Sequence, residues 1–496
     1  MGKWHDFLED QISVRPDAIA LTDNGGACWS FAAFGQAVSD LVAELQVRGV
    51  RPYDRVMIVC ENCCAAIAAL FACSRIGACA VPVNARQTQG ELMRIIEHAR
   101  PAVVLLTTAA SPDATQHAGR MTAEALVGSF GQFHVAAPFA SAPDADLDDV
   151  AVMLFTTGTT GTPKGVMLTH DNVRFGGMTS ANLRGMTRED VVYGVLPITH
   201  VFGLCSVVTA ASYAGAQVRL EARFSAARLY DQLRDGVTLF SAVPQMHALL
   251  MQYAKEQGVD GVQDCALRYT SSGAAPLDPA WKRKAEAFYG VPIQNGYGLT
   301  ESTAGVSASN NDLGDPDISV GKALPGVKVR IDETVEGGSD GIGEVLTAGP
   351  HVMKGYYRNA EATDAALQDG WLRTGDLGYF DEHGRLHIAG RSKELIIHGG
   401  FNVYPPEVEA ALNDHPQVIQ SAVIGCTVEG DELVYAFVQA AKGDLPDVED
   451  LKGFAAARLA GYKRPSRIVV ATELPAAPTG KILKHRLLDH FADQLG

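Results

Sequence analysis

Apolar and polar positions alternate in blocks along the first three hundred residues. Positions 31–48 carry apolar side chains at helical spacing, and 56–59 and 103–106 are short apolar runs. The unit 55–60, 64–76, 79–83 reads as strand, helix, strand. Such alternation predicts a parallel sheet with crossover helices. Residues 107–149 are rich in Ala, Ser, Pro and Asp, and the ends of this stretch read as loops. An apolar run at 150–155 enters a glycine–threonine cluster, and 166–168 resumes the run. From 321 to 390 the pattern changes to short β-rich runs (327–331, 343–347, 385–389) separated by glycine turns. This predicts a small barrel or distorted antiparallel sheet. The last hundred residues predict a separate α+β unit: helix 405–413, strands 421–425 and 433–439, helix 448–459. No repeat of 20–50 residues is present.

Composition narrows the class. The chain has 496 residues, 47% apolar and 20% charged, with net charge −16. These values fit a globular protein with several cores. An acidic chain argues against general binding to nucleic acid or anionic membrane, which needs a basic face. The longest strongly apolar stretch is about nine residues, where a membrane span needs about 20. The start lacks the apolar core of a signal peptide. Six of the nine cysteines fall between Cys28 and Cys79, with Cys60 and Cys63 forming a CxxC. A redox pair or half a zinc site competes here with small core side chains. No second CxxC or spaced histidine pair completes a metal site, so the core reading is preferred, with a reducing cytoplasm as the default.

The sequence from 156 to 165 is Thr-Thr-Gly-Thr-Thr-Gly-Thr-Pro-Lys-Gly. Its glycines allow close backbone approach, its hydroxyls donate to phosphate oxygens, and Lys164 adds a cation. It is a candidate phosphate cradle. It is neither a Walker loop nor a dinucleotide GxGxxG. The loop resembles the phosphate loop of the adenylate-forming superfamily, which includes acyl-CoA synthetases, adenylation domains and firefly luciferase. Further motifs of that family follow in order: Ser271-Ser272-Gly273-Ala274-Ala275-Pro276, Asn295-Gly296-Tyr297-Gly298-Leu299-Thr300-Glu301, Thr374-Gly375-Asp376, Gly390-Arg391-Ser392-Lys393, Gly399-Gly400-Phe401-Asn402-Val403 and Pro478-Thr479-Gly480-Lys481. The segment Pro197-Ile198-Thr199-His200-Val201-Phe202-Gly203 is similar to the family's PLxHxxG, with Thr199 where Phe or Tyr is usual.

The resemblance implies the following assignments. The fold is α/β: two doubly wound αβαβα subdomains plus a small β-barrel (about 321–390) in a large domain 1–391, and a mobile α+β cap 392–496. ATP is held by Thr156, Thr157, Gly158, Thr159, Thr160, Gly161, Gly273, Ala274, Ala275, Asn295, Gly296, Gly298 and Thr300. Tyr297 stacks on adenine, Asp376 binds both ribose hydroxyls, and Arg391 contacts the ribose or phosphate side. Mg2+ is held near Glu301 and Thr160. Lys481 and Lys164 neutralise charge in catalysis, with His200 between the acyl and adenylate sites. Lys393 is the hinge, and Gly399, Gly400 and Phe401 line the coenzyme A tunnel. Val201, Phe202, Gly203, Val243 and Ser272 line the acyl pocket. Lys463 and Arg464 are candidates for the coenzyme A phosphates.

The implied activity is that of an AMP-forming acyl-CoA ligase of the 4-coumarate or fatty-acid kind. Its substrates would be ATP, coenzyme A and an apolar monocarboxylic acid, fatty or aromatic. No nucleic acid or integral membrane contact is expected, and a homodimer is compatible with the reading. The alternative is a free-standing adenylating enzyme that loads a carrier protein.

Overall fold

The computed structural model describes the chain except residues 1, 158–162, 263, 274–276, 304, 336–337, 339–340, 400, 429–430, 477–481 and 496, and the side chains of 157 and 431. Strand Arg55–Cys60 is buried at every position, because helices cover both faces of its sheet. Val56, Ile58 and Cys60 enter one core with the helix Cys64–Ile76. Met57 and Val59 enter another with the helix Gln89–Ala99. This eight-stranded sheet runs, in spatial order, Gly355–Tyr356, Pro163–Thr169, Val150–Thr157, Cys79–Asn84, Arg55–Cys60, Val103–Leu106, Gly131–Ala136, Glu124–Gly128. Its centre is parallel and its margins antiparallel.

A nine-stranded sheet is built from Lys322–Ala323, Ser307–Ala308, Ile293–Tyr297, Tyr269–Gly273, Leu239–Ala242, Val191–Gly194, Gln217–Leu220, Ile19–Asp23 and Cys28–Ser30, in that spatial order. The two sheets share one core, in which Val56 and Phe71 join Val192, Val207 and Leu239. A five-stranded antiparallel sheet follows, formed by Lys328–Asp332, Gly343–Ala348, Leu367–Gln368, Trp371–Phe380 and Leu386–Arg391. The C-terminal part has its own core. There the helices Pro405–Asn413 and Val448–Ala456 pack with Val418–Val428, Asp431–Ala440 and Arg467–Ala471.

Between its ends, the stretch 107–149 holds the helix Pro112–Arg120 and the hairpin Glu124–Gly128/Gly131–Ala136. The segment 321–390 takes the antiparallel-sheet form of the expectation, while Lys322–Ala323 and Gly355–Tyr356 extend the two large sheets. Strand Arg467–Ala471, which pairs parallel to Asp431–Ala440, had no prior signal. Among the cysteines, Cys60, Cys63, Cys64, Cys73 and Cys79 are buried and Cys28 is exposed. Burial pushes the thiols of Cys63 and Cys79 up to about 12, as expected of inert core residues. Among the described residues, no helix is long and apolar enough to cross a membrane.

Candidate active site

The glycine–threonine sequence lies between two paired strands. Strands Val150–Thr157 and Pro163–Thr169 are antiparallel, and Thr156 opposes Lys164. Lys164 Nζ lies 4.9 Å from the ring centre of Tyr356. Gly158, Thr159, Thr160 and Gly161 lie outside the described residues, as do Ala274, Ala275, Gly400 and Lys481.

Three motifs far apart in sequence converge on one carboxylate. Asp376 is 4% exposed. Its Oδ2 accepts the Tyr297 hydroxyl at 2.6 Å, and its Oδ1 lies 3.1 Å from Arg391 Nε. Strand pairing sets this geometry, because Asp376 and Arg391 are register partners. Burial, and then the Asp376 charge, raise the Tyr297 pKa well above its ordinary value, so the phenol remains a donor. Burial opposes the Arg391 charge, but Asp376 and Glu394 outweigh it and hold the guanidinium ionised.

Thr300 and Glu301 open a short 3-10 turn after strand Ile293–Tyr297. Thr300 is buried. Glu301 Oε1 accepts the Tyr356 hydroxyl at 2.8 Å. No other side-chain hydrogen bond reaches the Glu301 carboxylate among the described residues. A single hard carboxylate suits Mg2+, which keeps water and phosphate as its other ligands. No cluster of three or more His, Cys, Asp or Glu that could hold a metal occurs among the described residues.

Gly273 and Gly296 are register partners, so two adjacent strands present bare backbone at one spot. The Phe202 ring covers it: a Cβ on Gly273 would sit 3.0 Å from Phe202 Cε1. Ser272, one residue earlier, points to the opposite face with Ala242 and Asn295 and is 1% exposed. Ser272 therefore does not face the Phe202 ring, whereas Gly273 does. Val243 packs against the core on that opposite side. Asn295 fixes the strand end by donating to Ser319 O at 3.1 Å. Gly298 is exposed beyond it.

His200 is exposed, and its Nδ1 accepts from Phe202 N at 3.3 Å. Val201 is buried, and Gly203 fits because a Cβ there would lie 2.3 Å from Pro197 O. The segment is pinned by Asn62. This buried amide donates to Gly194 O and Leu196 O, each at 2.9 Å, and accepts from Ile198 N at 3.0 Å. Asn62 thus ties the eight-stranded sheet to the loop carrying His200. Beside it, Glu61 binds Arg86 at 2.6 Å and Arg223 at 2.9 Å. Neither Asn62 nor Tyr356 was expected from sequence. Asn62 lay inside the cysteine cluster, and Tyr356 inside the stretch read as barrel.

Lys393 is exposed in the turn Ser392–Glu394, between the five-stranded sheet and the hairpin Ile396–His398/Phe401–Val403. Gly399 turns that hairpin at φ +59°, a conformation that favours glycine. Phe401 stacks on Tyr462 with ring centres 4.7 Å apart. Lys463 and Arg464 are engaged within the domain. Lys463 binds Glu407 at 2.6 Å, and Arg464 donates to Leu459 O and Ala456 O. Lys484, three residues after Lys481, is clasped by Glu394 at 3.0 Å and Glu409 at 2.9 Å.

Known proteins resemble the chain over most of its length. The AMP-binding enzyme family matches residues 8–357, and the AMP-binding enzyme C-terminal domain matches 407–481. The 2-succinylbenzoate–CoA ligase of Geobacillus kaustophilus is 32% identical over 491 residues, covering 97% of this chain and 96% of its own. The long-chain-fatty-acid–CoA ligase of Bacillus subtilis is 31% identical, with 97% and 93% covered. ATP-bound MatB from Rhodopseudomonas palustris superposes with TM-score 0.84 at 30% identity, with 100% of each chain covered. The O-succinylbenzoate coenzyme A synthetase MenE of Bacillus subtilis, in complex with ATP and magnesium ion, superposes with TM-score 0.81 at 28% identity, covering 97% and 98%. The chain belongs to the AMP-binding enzyme family, that of the adenylate-forming enzymes, and within it resembles the acyl-CoA ligases.

Proposed function

We propose that the chain is an AMP-forming acyl-CoA ligase. It joins an apolar monocarboxylic acid, fatty or aromatic, to the α-phosphate of ATP with loss of pyrophosphate. It then passes the acyl group to coenzyme A, releasing AMP. The observation that carries this reading is the meeting of Tyr297, Asp376 and Arg391 around one buried carboxylate. A ring, an acceptor with two oxygens and a cation are the parts that adenine, ribose and phosphate require.

Acid and ATP are both anions, so the first step depends on positioning and charge neutralisation. Lys164 sits on strand Pro163–Thr169, and Thr300 is available to donate to the α-phosphate. Glu301 and Thr160 would hold Mg2+, which supplies charge neutralisation on the phosphates. Lys481 approaches from the C-terminal domain. The acid lies against Phe202 and the bare backbone of Gly273 and Gly296, with His200 between acyl group and adenylate. No arginine or lysine occurs in 201–203, 243–245 or 271–273 to bind a second carboxylate.

For the second step, the cap 392–496 turns about Lys393 relative to 1–391, withdrawing Lys481. Gly399, Gly400 and Phe401 then line the path of the pantetheine arm. Pyrophosphate release across a panel of fatty, aromatic and dicarboxylic acids, with and without coenzyme A and with mass detection of products, tests this. Turnover of an apolar monocarboxylate to its CoA thioester is expected. Preference for a dicarboxylate, or transfer only to a carrier protein, contradicts it.

A further inference from the structure

Tyr356 touches residues of two separate motifs and belongs to neither. Its hydroxyl donates to Glu301 Oε1 at 2.8 Å, and its ring lies 4.9 Å from Lys164 Nζ. Glu301 follows a strand of the nine-stranded sheet, and Lys164 belongs to a strand of the eight-stranded sheet. Tyr356 itself is 9% exposed and held on both sides. Gly355 and Tyr356 pair with Met167 and Val166, and Tyr357 N donates to Gly165 O at 2.8 Å. Tyr356 N donates to Thr363 Oγ1 at 2.9 Å, and Met353 N donates to Glu301 O at 2.9 Å. A ring so fixed cannot follow the motions of either charged partner. Both partners must adjust to it.

We propose that Tyr356 is a positioning residue for adenylation: its hydroxyl sets the direction of the Glu301 carboxylate toward Mg2+, and its ring seats the Lys164 ammonium beside the same phosphates. The proposal rests on the reading of Glu301 as a Mg2+ ligand. A residue that merely staples an edge strand would have no reason to touch both charges. One that positions them makes the metal and lysine sites a single unit. The long lysine stem gains a fixed resting place. The carboxylate keeps one oxygen on Tyr356 and turns the other to the metal.

The test needs no acid substrate. ATP is titrated calorimetrically into the full-length protein at stepped Mg2+ concentrations. Tyr356→Phe, which keeps the ring, is expected to raise the Mg2+ concentration for half-maximal ATP binding by about tenfold. Glu301→Ala should raise it at least as far. In the Glu301→Ala background, Tyr356→Phe should add less than about twofold, because the hydroxyl then has nothing to orient. Thermal unfolding of each variant checks that the fold is kept. If Glu301→Ala shifts the Mg2+ requirement and Tyr356→Phe does not, the proposal is overturned while Glu301 stands. If Tyr356→Phe has the same effect with and without Glu301, its role is structural and the proposal fails. If neither variant shifts the requirement, the reading of Glu301 fails as well.

Discussion

The Tyr297 hydroxyl donates to Asp376 Oδ2 at 2.6 Å across 79 positions of sequence. The same carboxylate binds Arg391 through its other oxygen. Its two oxygens are thus occupied by side chains that ribose hydroxyls would have to share or displace. Asp376→Asn keeps the shape but removes the charge. We expect ATP affinity to fall about 10- to 100-fold, the value of one to two charge-assisted hydrogen bonds. Tyr297→Phe should cost less, since the ring remains. Calorimetric ATP binding by both variants checks the order, and a larger loss in Tyr297→Phe would contradict it.

Asn62 is the second prediction. Its amide satisfies two carbonyls and one N–H that are otherwise buried at the base of the His200 segment. Asn62→Ala should destabilise the fold by about 3 kcal/mol, at about 1 kcal/mol for each group left unpaired. Activity should fall further than stability alone explains, because residues 197–200 lose their register. Urea unfolding beside steady-state kinetics measures both.

Tyr356 and Asn62 mark what can be read from sequence and what cannot. The phosphate loop, the Tyr297–Glu301 run and the Asp376 and Arg391 motifs are contiguous, so their chemistry is written in neighbouring letters. Tyr356 reaches Glu301 over 55 positions and Asn62 reaches Leu196 over 134. No local spacing encodes such contacts, which arise only when two sheets close on a shared core. The same limit explains Gly355–Tyr356. Two residues are too few for a period-2 signal, yet they extend a sheet begun three hundred residues earlier. Strand Arg467–Ala471 was missed for a related reason. Its alternation is brief, and its partner lies across a helix. Which of Ser272 and Gly273 faces Phe202 is likewise unreadable locally, because face alternation depends on register, which one strand read alone does not fix.

Asp278 carries a pH prediction. It caps the helix Pro279–Tyr289, accepting from Trp281 N at 2.7 Å, and lies beside Asp414 at the end of the helix Pro405–Asn413. Burial first, with Asp414 adding to it, raises its pKa to about 6. A raised carboxyl pKa means that the native state binds more protons than the unfolded chain between about 4 and 6. Stability should therefore fall as pH rises through that window and level off above it. Asp278→Asn keeps an acceptor for the cap and removes the titration. It should flatten the fall and stabilise the protein above pH 6 by about 1 kcal/mol, after allowing for solvent screening. Thermal unfolding from pH 4 to 7 reads the difference.

The central claim is that the chain makes an acyl-adenylate with Lys481 and consumes it without that lysine. The direct measurement is mass detection of acyl-AMP in a CoA-free mixture of ATP, Mg2+ and an acid that turns over, for the native protein and for Lys481→Ala. The native protein should accumulate acyl-AMP, and Lys481→Ala should form it about 10²- to 10³-fold more slowly. Both should convert supplied acyl-AMP to the CoA thioester at similar rates. Release of ADP in place of acyl-AMP, or equal loss of both half-reactions in Lys481→Ala, would contradict the account.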